Sequence, residues 1–532
     1  DSAAGEPATT PAKTLHPPMG LFDNVRRDVP AGIVVFLVAL PLCLGIAQAS
    51  GAPLFSGLIA GVVGGVVVGF LSRSALSVSG PAAGLAVIVA ASIADLGMPA
   101  FLLALVLAGA IQFALGSLRL GVIAHYFPNA VIKGMLASIG VLIVLKQIPH
   151  AIGYDADYEG DESFMEQDGH TTFTAIGDAF GAMTLGSVVI SLACLALYGI
   201  WPRLQRGVLA QVPTPLAVII VGGLIATFLP MLWSAGALSA EHLVALPSFG
   251  SFGDVTAALT TPDWARITDL GVWSVAGTLA IVASLETLLS LEAVDRLDPL
   301  RRISPPNREL LAQGAGNMLS GLIGGLPVTS VIVRSSANVQ AGGVSRLSTI
   351  VHGLFLATGV LFGASLLNHV PLAALAIVLI MIGWKLSPPS LWKAMWRAGM
   401  SQFVPFVVTI LAVVLSDLLT GTLIGLAVGI AFAIRQQQAN AVVYVQDGGV
   451  NLIRINKDLT FLNKAELKEI LVSIVNDSHV IIDRRLVDFI DDDIEELILE
   501  FEQGAEARGI VVEIDLSARD LERRAALAPT HP

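Results

Sequence analysis

The sequence predicts an all-α polytopic membrane protein with about fourteen segments, followed by a small cytoplasmic α/β domain. Hydrophobic residues make up 54% of the 532 residues and charged residues only 14%, whereas soluble domains carry about 25% charged residues. Long apolar runs follow one another up to about residue 435, where a shorter-period pattern replaces them. Together with the mean hydropathy of +0.77, these observations indicate that lipid surrounds most of the chain.

A membrane-spanning helix needs about 20 mainly apolar residues. Several apolar runs in this sequence are shorter than that, and these predict interrupted helices. The first run is long enough to span, so we expect no cleavable signal peptide. The runs lie at residues 31–49, 54–72, 81–96, 99–117, 129–147, 183–201, 213–230, 271–292, 309–324, 333–343, 347–367, 370–384, 402–417 and 419–434.

The positive charges predict the orientation of the chain in a bacterial inner membrane. Arg26 and Arg27 precede the first run, and positive residues concentrate on the cytoplasmic side of membrane proteins. The stretches 151–182 and 231–265 contain no Lys or Arg. We therefore expect the N-terminus and the C-terminal domain in the cytoplasm and these two stretches outside. The first stretch is acidic, but it lacks the spacing of a calcium loop.

Charge and cysteine usage exclude several classes of protein. The net charge is −12, so we expect no nucleic-acid partner. Cys43 and Cys194 both lie in apolar runs, where a buried thiol is expected rather than a disulfide. The nine histidines show no ligand spacing, so we expect no metal site and no cofactor.

The first interrupted helix lies around residues 77–84, where Ser, Gly and Pro cluster inside an apolar region. Facing lipid, such a segment would leave backbone groups unpaired at high cost. Pro81 suits the first position of a helix, where its missing N–H is not needed. We therefore predict an extended segment ending near Ser79, followed by a helix that begins at mid-membrane.

The second interruption follows the same plan, with Gly324, Gly325 and Pro327 before β-branched residues and a helix that starts near Arg334. The two interruptions lie about as far apart as the runs that begin at residues 31 and 271. This match predicts two halves of seven segments each, and the odd number makes the repeats inverted. Pro-induced kinks in ordinary spans are the alternative reading.

Two half-helices that point their N-termini at one place form an anion site. Arg334 lies at the start of the second half-helix, where an uncompensated charge is costly in lipid. Glu286 lies mid-span, with Thr287 beside it and Ser290 one helical turn further on. Two roles for Glu286 stay open: an ion pair with Arg334, or a site for a coupling proton or Na⁺.

Beyond about residue 436, segments with period-two alternation predict strands near 441–445, 452–455, 479–482 and 510–514. Helices are predicted at 464–475 and at 492–503, the second ending at Gly504. The predicted organisation is a flexible N-terminus at 1–20, a transport domain at 21–435, a small domain at 436–520 and a tail at 521–532.

These residues together resemble the sulfate permease (SulP) family, the solute carrier 26 anion transporters. The resemblance rests on Ala39 to Ala47, on Pro327 and Arg334 with Gly342–Gly343, and on the motifs at 307–310 and 314–317. It covers the chain from about residue 21 onwards. It implies a core domain of segments 1–4 and 8–11, a gate domain of segments 5–7 and 12–14, a cytoplasmic STAS domain and a homodimer.

The resemblance also implies a set of site residues. The substrate site would be formed by Pro41, Cys43, Gly45, Ser79, Gly80, Pro81, Ala82, Val333, Arg334 and Ser335. Glu286, Thr287 and Ser290 would bind the coupling ion. Bicarbonate transporters of the family have an acidic residue followed by a hydroxyl one turn on, as at Glu286 and Ser290. Here Glu replaces Asp, and Arg334 replaces a small residue, so coupling to Na⁺ and to H⁺ both stay open.

The predicted function is secondary active transport of a small inorganic anion, first bicarbonate, by elevator-like alternating access. A sulfate or dicarboxylate H⁺ symporter and a passive anion channel or exchanger are the alternatives. A buried acid beside the site favours coupled transport over a channel. No nucleophile with its base and no metal cluster is visible in the sequence, so an enzyme is not expected.

Overall fold

A computed structural model describes the chain except for residues 1–19, 156–170, 208, 210–211, 246–252, 254–258, 363–366, 439–440, 448, 488 and 516–532. The predicted flexible N-terminus, much of the acidic loop and the predicted tail therefore lie outside the described residues. The chain divides into two compact units, Asp1–Leu426 and Ala427–Pro532.

The first unit is built from long apolar helices. Nine helices within the described part of the chain are long and apolar enough to cross a membrane. We number all helices in chain order, and those of the first unit continue into α16. They are α1 Val25–Ala49, α2 Leu54–Leu71, α3 Ala86–Leu96, α4 Met98–Ser117, α5 Asn129–Ile152, α6 Thr172–Gly181, α7 Leu185–Leu204, α8 Thr214–Leu232, α9 Leu270–Leu297, α10 Pro306–Leu322, α11 Ile332–Gln340, α12 Leu347–Phe362, α13 Leu372–Leu386, α14 Pro389–Arg397, α15 Met400–Leu415 and α16 Leu418–Gln438.

Each of the predicted apolar runs overlaps one of these helices. Two helices were not predicted: α6, and the amphipathic α14, in which Lys393 and Arg397 interrupt the apolar pattern. Both are shorter than a membrane span needs to be. A polytopic helical membrane protein is thus confirmed, while the inverted relation between two halves stays a prediction.

Two short strands join the interrupted helices at the centre of the first unit. Strand β1, Ser79–Pro81, pairs antiparallel with β2, Val328–Ser330, so that Gly80 lies opposite Thr329. Strand pairing satisfies the backbone N–H and C=O groups that an extended segment would otherwise leave open within a membrane. The two interruptions of the sequence therefore meet, and a short helix follows each of them.

The start of the first half-helix differs from the prediction. Pro81 lies in β1 and not at the first helical position, and a 3₁₀ turn at Ala83–Leu85 separates it from α3, which begins at Ala86. Because Pro81 lies opposite Val328 at one end of the strand pair, a Pro without an N–H is tolerated there for the same reason as on a sheet edge. Sequence alone did not distinguish these two uses of proline.

Close helix packing positions the strand pair. Helix α1 packs against α2 and α12, α10 packs along α4, and α13 packs along α5. Glycines allow the closest approaches: a Cβ at Gly65 would lie 2.5 Å from the Cα of Gly353 in α12. Such small residues let helices approach closely in lipid, where packing rather than water exclusion drives association.

The second unit contains four strands and two helices: β3 Val442–Asp447, β4 Val450–Ile455, α17 Lys464–Ser473, β5 His479–Asp483, α18 Asp492–Ala505 and β6 Val511–Asp515. The strands form one sheet in the order β3-β4-β5-β6, with β3 and β4 antiparallel and the other pairs parallel. Apolar side chains of the strands and of both helices form its core. The predicted strands and helices are all present, but α18 continues through Gly504, and the left-handed residue that follows it is Gly509.

One carboxylate organises the end of the central strand of this sheet. The guanidinium groups of Arg485 and Arg454 donate to Asp483 at 3.0–3.1 Å. These hydrogen bonds, with that of Arg485 first, hold the pKa of Asp483 well below its usual range. The stabilisation by this cluster is therefore complete above the ordinary carboxyl pKa of about 4 and is lost as the pH falls further.

Candidate functional site

Arg334 is the central group of the candidate site. It lies in the first turn of α11, directly after the strand pair, and is 0% exposed. Its Nε, Nη1 and Nη2 atoms have no hydrogen-bond partner within the described residues. A buried, unpaired guanidinium is costly, so the fold leaves this cation available for a group that is not part of the chain.

Strand β1 leaves space for this side chain. A Cβ atom at Gly80 would lie 2.0 Å from Nη1 of Arg334, so a larger residue there would force the guanidinium to move. The charge of Arg334 also acts on the thiol of Cys43 in α1 and on the imidazole of His352 in α12. The structure thus brings the predicted residues Cys43, Gly80 and Arg334 together from three separate segments.

The sequence left two roles for Glu286 open, an ion pair with Arg334 or a coupling-ion site, and both stay predictions. The guanidinium of Arg334 has no hydrogen-bond partner within the described residues. Glu286 is 8% exposed, and its Oε2 lies 3.4 Å from where a Cβ at Gly84 would be. The carboxylate therefore lies against the 3₁₀ turn of the first half-helix, while the guanidinium faces the strand before it.

The predicted partners of Glu286 are both buried. The hydroxyl of Thr287 accepts a hydrogen bond of 3.4 Å from the backbone N–H of Ser330 in β2, which links α9 to the strand pair. Ser290 is 2% exposed, one helical turn further along α9. Thr287 thus has a structural contact in addition to any role toward an ion.

Ser335 ties the two interruptions together. Its hydroxyl accepts from the N–H of Val78 at 2.9 Å and donates to the carbonyl of Val331 at 2.7 Å. Its neighbour Val333 is 6% exposed and contributes apolar surface. Ser335 therefore holds the strand pair and has no free hydroxyl proton for a substrate.

The remaining predicted residues line the same region without specific polar contacts in the described structure. Pro41 and Gly45 are buried in α1 on either side of Cys43. Pro81 and Ala82 are buried between β1 and the 3₁₀ turn. Because these side chains are apolar or absent, they leave polar recognition to backbone N–H groups and Arg334.

Two hydroxyl groups near Arg334 were not predicted. Thr329 lies opposite Gly80 in the strand pair, and Ser336 follows two residues after Arg334. Thr329 Oγ1 and Ser336 Oγ are buried without a hydrogen-bond partner in the described part of the chain. In the sequence, these two residues could have been noticed as small hydroxyl residues in or just before a short half-helix.

A polar face of α10 was missed as well. Glu309, Gln313 and Asn317 recur every fourth residue, which places them on one side of the helix. Asn317 accepts from the N–H of Val328 at 2.6 Å and donates to its carbonyl at 3.0 Å. Gln313 donates to the hydroxyl of Ser79 at 2.7 Å. This face supports both strands, and its spacing inside an apolar run could have revealed it.

A basic cavity lies near the predicted cytoplasmic ends of α1 and α8. Its volume is about 390 Å³, within the size range of small-molecule pockets. It is lined by Arg26, Arg27, Gln205, Thr214 and Gln340, among others. Positive side chains at the mouth of such a cavity raise the local concentration of anions.

No group of three or more His, Cys, Asp or Glu residues that could hold a metal ion occurs within the described residues. The candidate site is thus a buried cation framed by a strand pair and two short helices. Its electrostatics favour an anion.

Comparison with known proteins agrees with this geometry. Residues 25–409 match the model of the sulfate permease family. The chain is 29% identical over 380 residues to the bicarbonate transporter BicA of Picosynechococcus, covering 68% of this chain and 62% of that protein. It is 28% identical over 406 residues to the sodium-independent sulfate anion transporter of Bos taurus, covering 72% and 65%. The chain thus spans a little under two thirds of the length of these relatives.

Solved structures share the fold. The transmembrane domain of a cyanobacterial BicA aligns with a TM-score of 0.54 at 23% identity, covering 75% of this chain and 98% of that one. The murine solute carrier 26 family member A9, in its inward-facing state, aligns with a TM-score of 0.63 at 16% identity, covering 96% and 88%. With the match to the family model, these likenesses show that the chain belongs to the sulfate permease family.

Proposed function

We propose that this chain is a secondary active transporter of a small inorganic anion, which binds at Arg334 between the two half-helices. The observation that carries the proposal is the guanidinium itself, which is fully buried and has no partner within the described residues. An anion bound there would supply the missing hydrogen bonds in a planar, bidentate geometry that suits an oxyanion.

Bicarbonate is the first substrate. One guanidinium balances one negative charge, and the nearby carboxylate of Glu286 adds a negative charge that disfavours a dianion at the same place. One relative is named a bicarbonate transporter. Sulfate is the second candidate, favoured by a relative that is named a sulfate anion transporter, and a dicarboxylate is the third.

Glu286, with Thr287 and Ser290, is the proposed site of the coupling ion, either Na⁺ or H⁺. A buried carboxylate with adjacent hydroxyl oxygens provides ligands for Na⁺, and the same carboxyl group can carry a proton. Binding of the cation offsets the charge of Glu286 close to the anion. This coupling distinguishes a symporter from a passive channel or exchanger, which would need no such acid.

Alternating access in this proposal is elevator-like: core segments 1–4 and 8–11 move against gate segments 5–7 and 12–14. The basic cavity at Arg26 and Arg27 would be the cytoplasmic route to the site. The small C-terminal unit is proposed to be a STAS-like domain in the cytoplasm. The working form is proposed to be a homodimer in the bacterial inner membrane.

The test is uptake of labelled bicarbonate into proteoliposomes that contain the purified chain, under an imposed Na⁺ gradient or pH gradient. Concentrative uptake driven by either gradient is the expected result, and the effective gradient identifies the coupling ion. Uptake of sulfate or fumarate in place of bicarbonate would replace the substrate. Uptake that only equilibrates an anion under both gradients would contradict coupled transport.

A further inference from the structure

Glu309 is a buried carboxyl group that takes no part in the proposed anion site or coupling-ion site. It lies in the first turn of α10 and is 2% exposed. One oxygen contacts the hydroxyl of Ser72, and the other accepts a hydrogen bond of 2.9 Å from Nε2 of Gln313. Both neighbours are neutral, so no counter-charge compensates an ionised Glu309 by direct contact.

The positive side chains beside Ser72 and Glu309 bind elsewhere, and Arg73, which follows Ser72, is exposed. Arg308 donates to the carbonyl of Leu71, and Arg346 donates to the carbonyls of Phe70 and Ser72. Glu309 forms no ion pair with any described residue. Helices α2 and α4, which pack against α10, contain no titratable side chain. Helix α9 also packs against α10 and carries Glu286, Glu292, Asp295 and Arg296, and the guanidinium of Arg296 pairs with Glu292 and not with Glu309. Since an uncompensated buried carboxylate is costly, a bound proton at this place stabilises the fold.

The carboxyl group is connected to the anion site. Nε2 of Gln313 donates both to Glu309 and, at 2.7 Å, to the hydroxyl of Ser79 in β1. Because one nitrogen bridges the two groups, a charge on Glu309 acts at short range on the strand that carries Gly80, opposite Arg334. At low dielectric such a charge weakens binding of an anion.

The carboxyl group is also connected in the opposite direction, through a series of hydroxyl residues. Ser72 accepts from the N–H of Ser74, whose hydroxyl lies 3.0 Å from that of Ser304. Ser304 in turn donates to Asp295 at 2.6 Å. Asp295 is partly exposed and lies close in the chain to Arg296, Arg301, Arg302 and Arg308, whose positive charges predict the cytoplasmic side. Glu309 thus lies between that side and the anion site.

From this geometry we propose that Glu309 is a second proton-binding site of the transport cycle, which takes up a proton from the cytoplasmic side and thereby raises the affinity for the anion. The inference rests on the proposed anion transport through the site at Arg334. On protonation an O–H bond forms on the oxygen beside Ser72, which then accepts the hydrogen bond. The negative charge disappears, and the contact with Gln313 is kept.

Glu309→Gln tests the proposal, since an amide imitates the protonated acid: its carbonyl accepts from Gln313 and its N–H₂ donates to Ser72. Infrared difference spectra of the full chain in lipid, recorded on a shift from pH 5 to pH 8, report the carbonyl stretch of a neutral buried acid. We expect this band in the wild type and in Asp417→Asn, a matched control whose carboxylate only caps α16 at Thr420. We expect Glu309→Gln to lose the component of this band that Glu309 contributes.

If Glu309→Gln does not fold, Ser72→Ala keeps the carboxyl and removes one hydrogen-bond partner. The band should then persist at a shifted frequency. An unshifted band in Ser72→Ala, or an unchanged band in Glu309→Gln, would assign the signal to another group and overturn the proposal. This measurement uses the protein and protons alone, so it decides on Glu309 even where no transported anion has been found.

Transport gives the second readout. The ratio of bicarbonate exchange rates between wild type and Glu309→Gln is compared from pH 6 to pH 8, so that the chemistry of bicarbonate itself cancels. We expect the ratio to fall with rising pH, by about tenfold per unit where Glu309 titrates. A constant ratio would contradict a role in affinity. Glu286→Gln should keep the infrared component that Glu309→Gln removes, which separates this proton from the coupling ion.

Discussion

The two interruptions of the membrane helices have similar backbones and different side chains. Each consists of a three-residue strand and a short helix. The second passes directly into α11, with Arg334 in its first turn, whereas the first inserts a 3₁₀ turn and carries only small residues such as Gly80 and Gly84. One interruption supplies the charge and the other supplies the space for it, so similar folding does not mean equivalent function.

The largest effect is expected from Arg334→Gln, which removes the cation and keeps a side chain of similar reach. Because hydrogen bonds to charged groups contribute about 1.5–3 kcal/mol, anion affinity should fall roughly 10- to 150-fold. Isothermal titration with bicarbonate measures the loss. Arg334→Lys keeps the charge without the planar donor pair and should lie between the two. Unchanged anion affinity in Arg334→Gln would show that the charge of the second interruption does not contribute to binding.

Glu286→Gln tests whether the neighbouring carboxylate couples ion and anion. It should keep the fold and equilibrium exchange of the anion, and abolish uptake driven by the Na⁺ or pH gradient. Counterflow and gradient-driven uptake in the same proteoliposomes separate the two activities. If gradient dependence persists in this variant, Glu286 has no coupling role.

Gly80→Ala tests the supply of space by the first interruption. The added Cβ would lie 2.0 Å from Nη1 of Arg334, so the guanidinium must move and affinity should fall about tenfold, equivalent to roughly 1.4 kcal/mol. Gly277→Ala in α9 is the matched control, since a Cβ there meets nothing within 4 Å. Equal affinities of the two variants would show that the guanidinium adapts freely.

The smallest effect on binding is expected from Ser335→Ala, which separates the two interruptions without touching the charge. The N–H of Val78 loses its partner, at a cost of about 1–3 kcal/mol in stability, while Arg334 stays in place. Thermal unfolding should show a lower midpoint, and the bicarbonate affinity of the folded fraction should change less than threefold. A loss of affinity as large as that of Arg334→Gln would assign Ser335 to substrate recognition.

Much of the first unit could be predicted because lipid imposes simple rules on sequence. Apolar run length located the helices, and clusters of Gly, Ser and Pro marked both interruptions. Arg334 was identified because a lone charge in an apolar segment needs a reason. The pairing of β1 with β2 was not predicted in detail, since its register depends on contacts distant in sequence.

The residues that were missed act through distant partners. Asp28 accepts hydrogen bonds from the backbone of Val344 and Ser345 and thus fixes α1 beside the end of α11. Glu309 and Gln313 act on β1, which lies far away along the chain. Helical spacing could have predicted a shared face for Glu309 and Gln313, but the partner of that face is decided by tertiary packing. The same limit applies to Pro81. A proline at the first position of a helix and a proline at the end of a strand pair differ only in the segment that lies opposite, which is distant in sequence.

Contact between the anion and Arg334 is the central claim, and solid-state NMR measures it directly. The chain is labelled with ¹⁵N at arginine, reconstituted in lipid and loaded with ¹³C-bicarbonate, and the dipolar coupling between the two labels is recorded. We expect a coupling that corresponds to about 4 Å between carbon and guanidinium nitrogen, and we expect it to be lost in Arg334→Gln. A coupling that survives in Arg334→Gln, or bound bicarbonate without any arginine coupling, would contradict this claim.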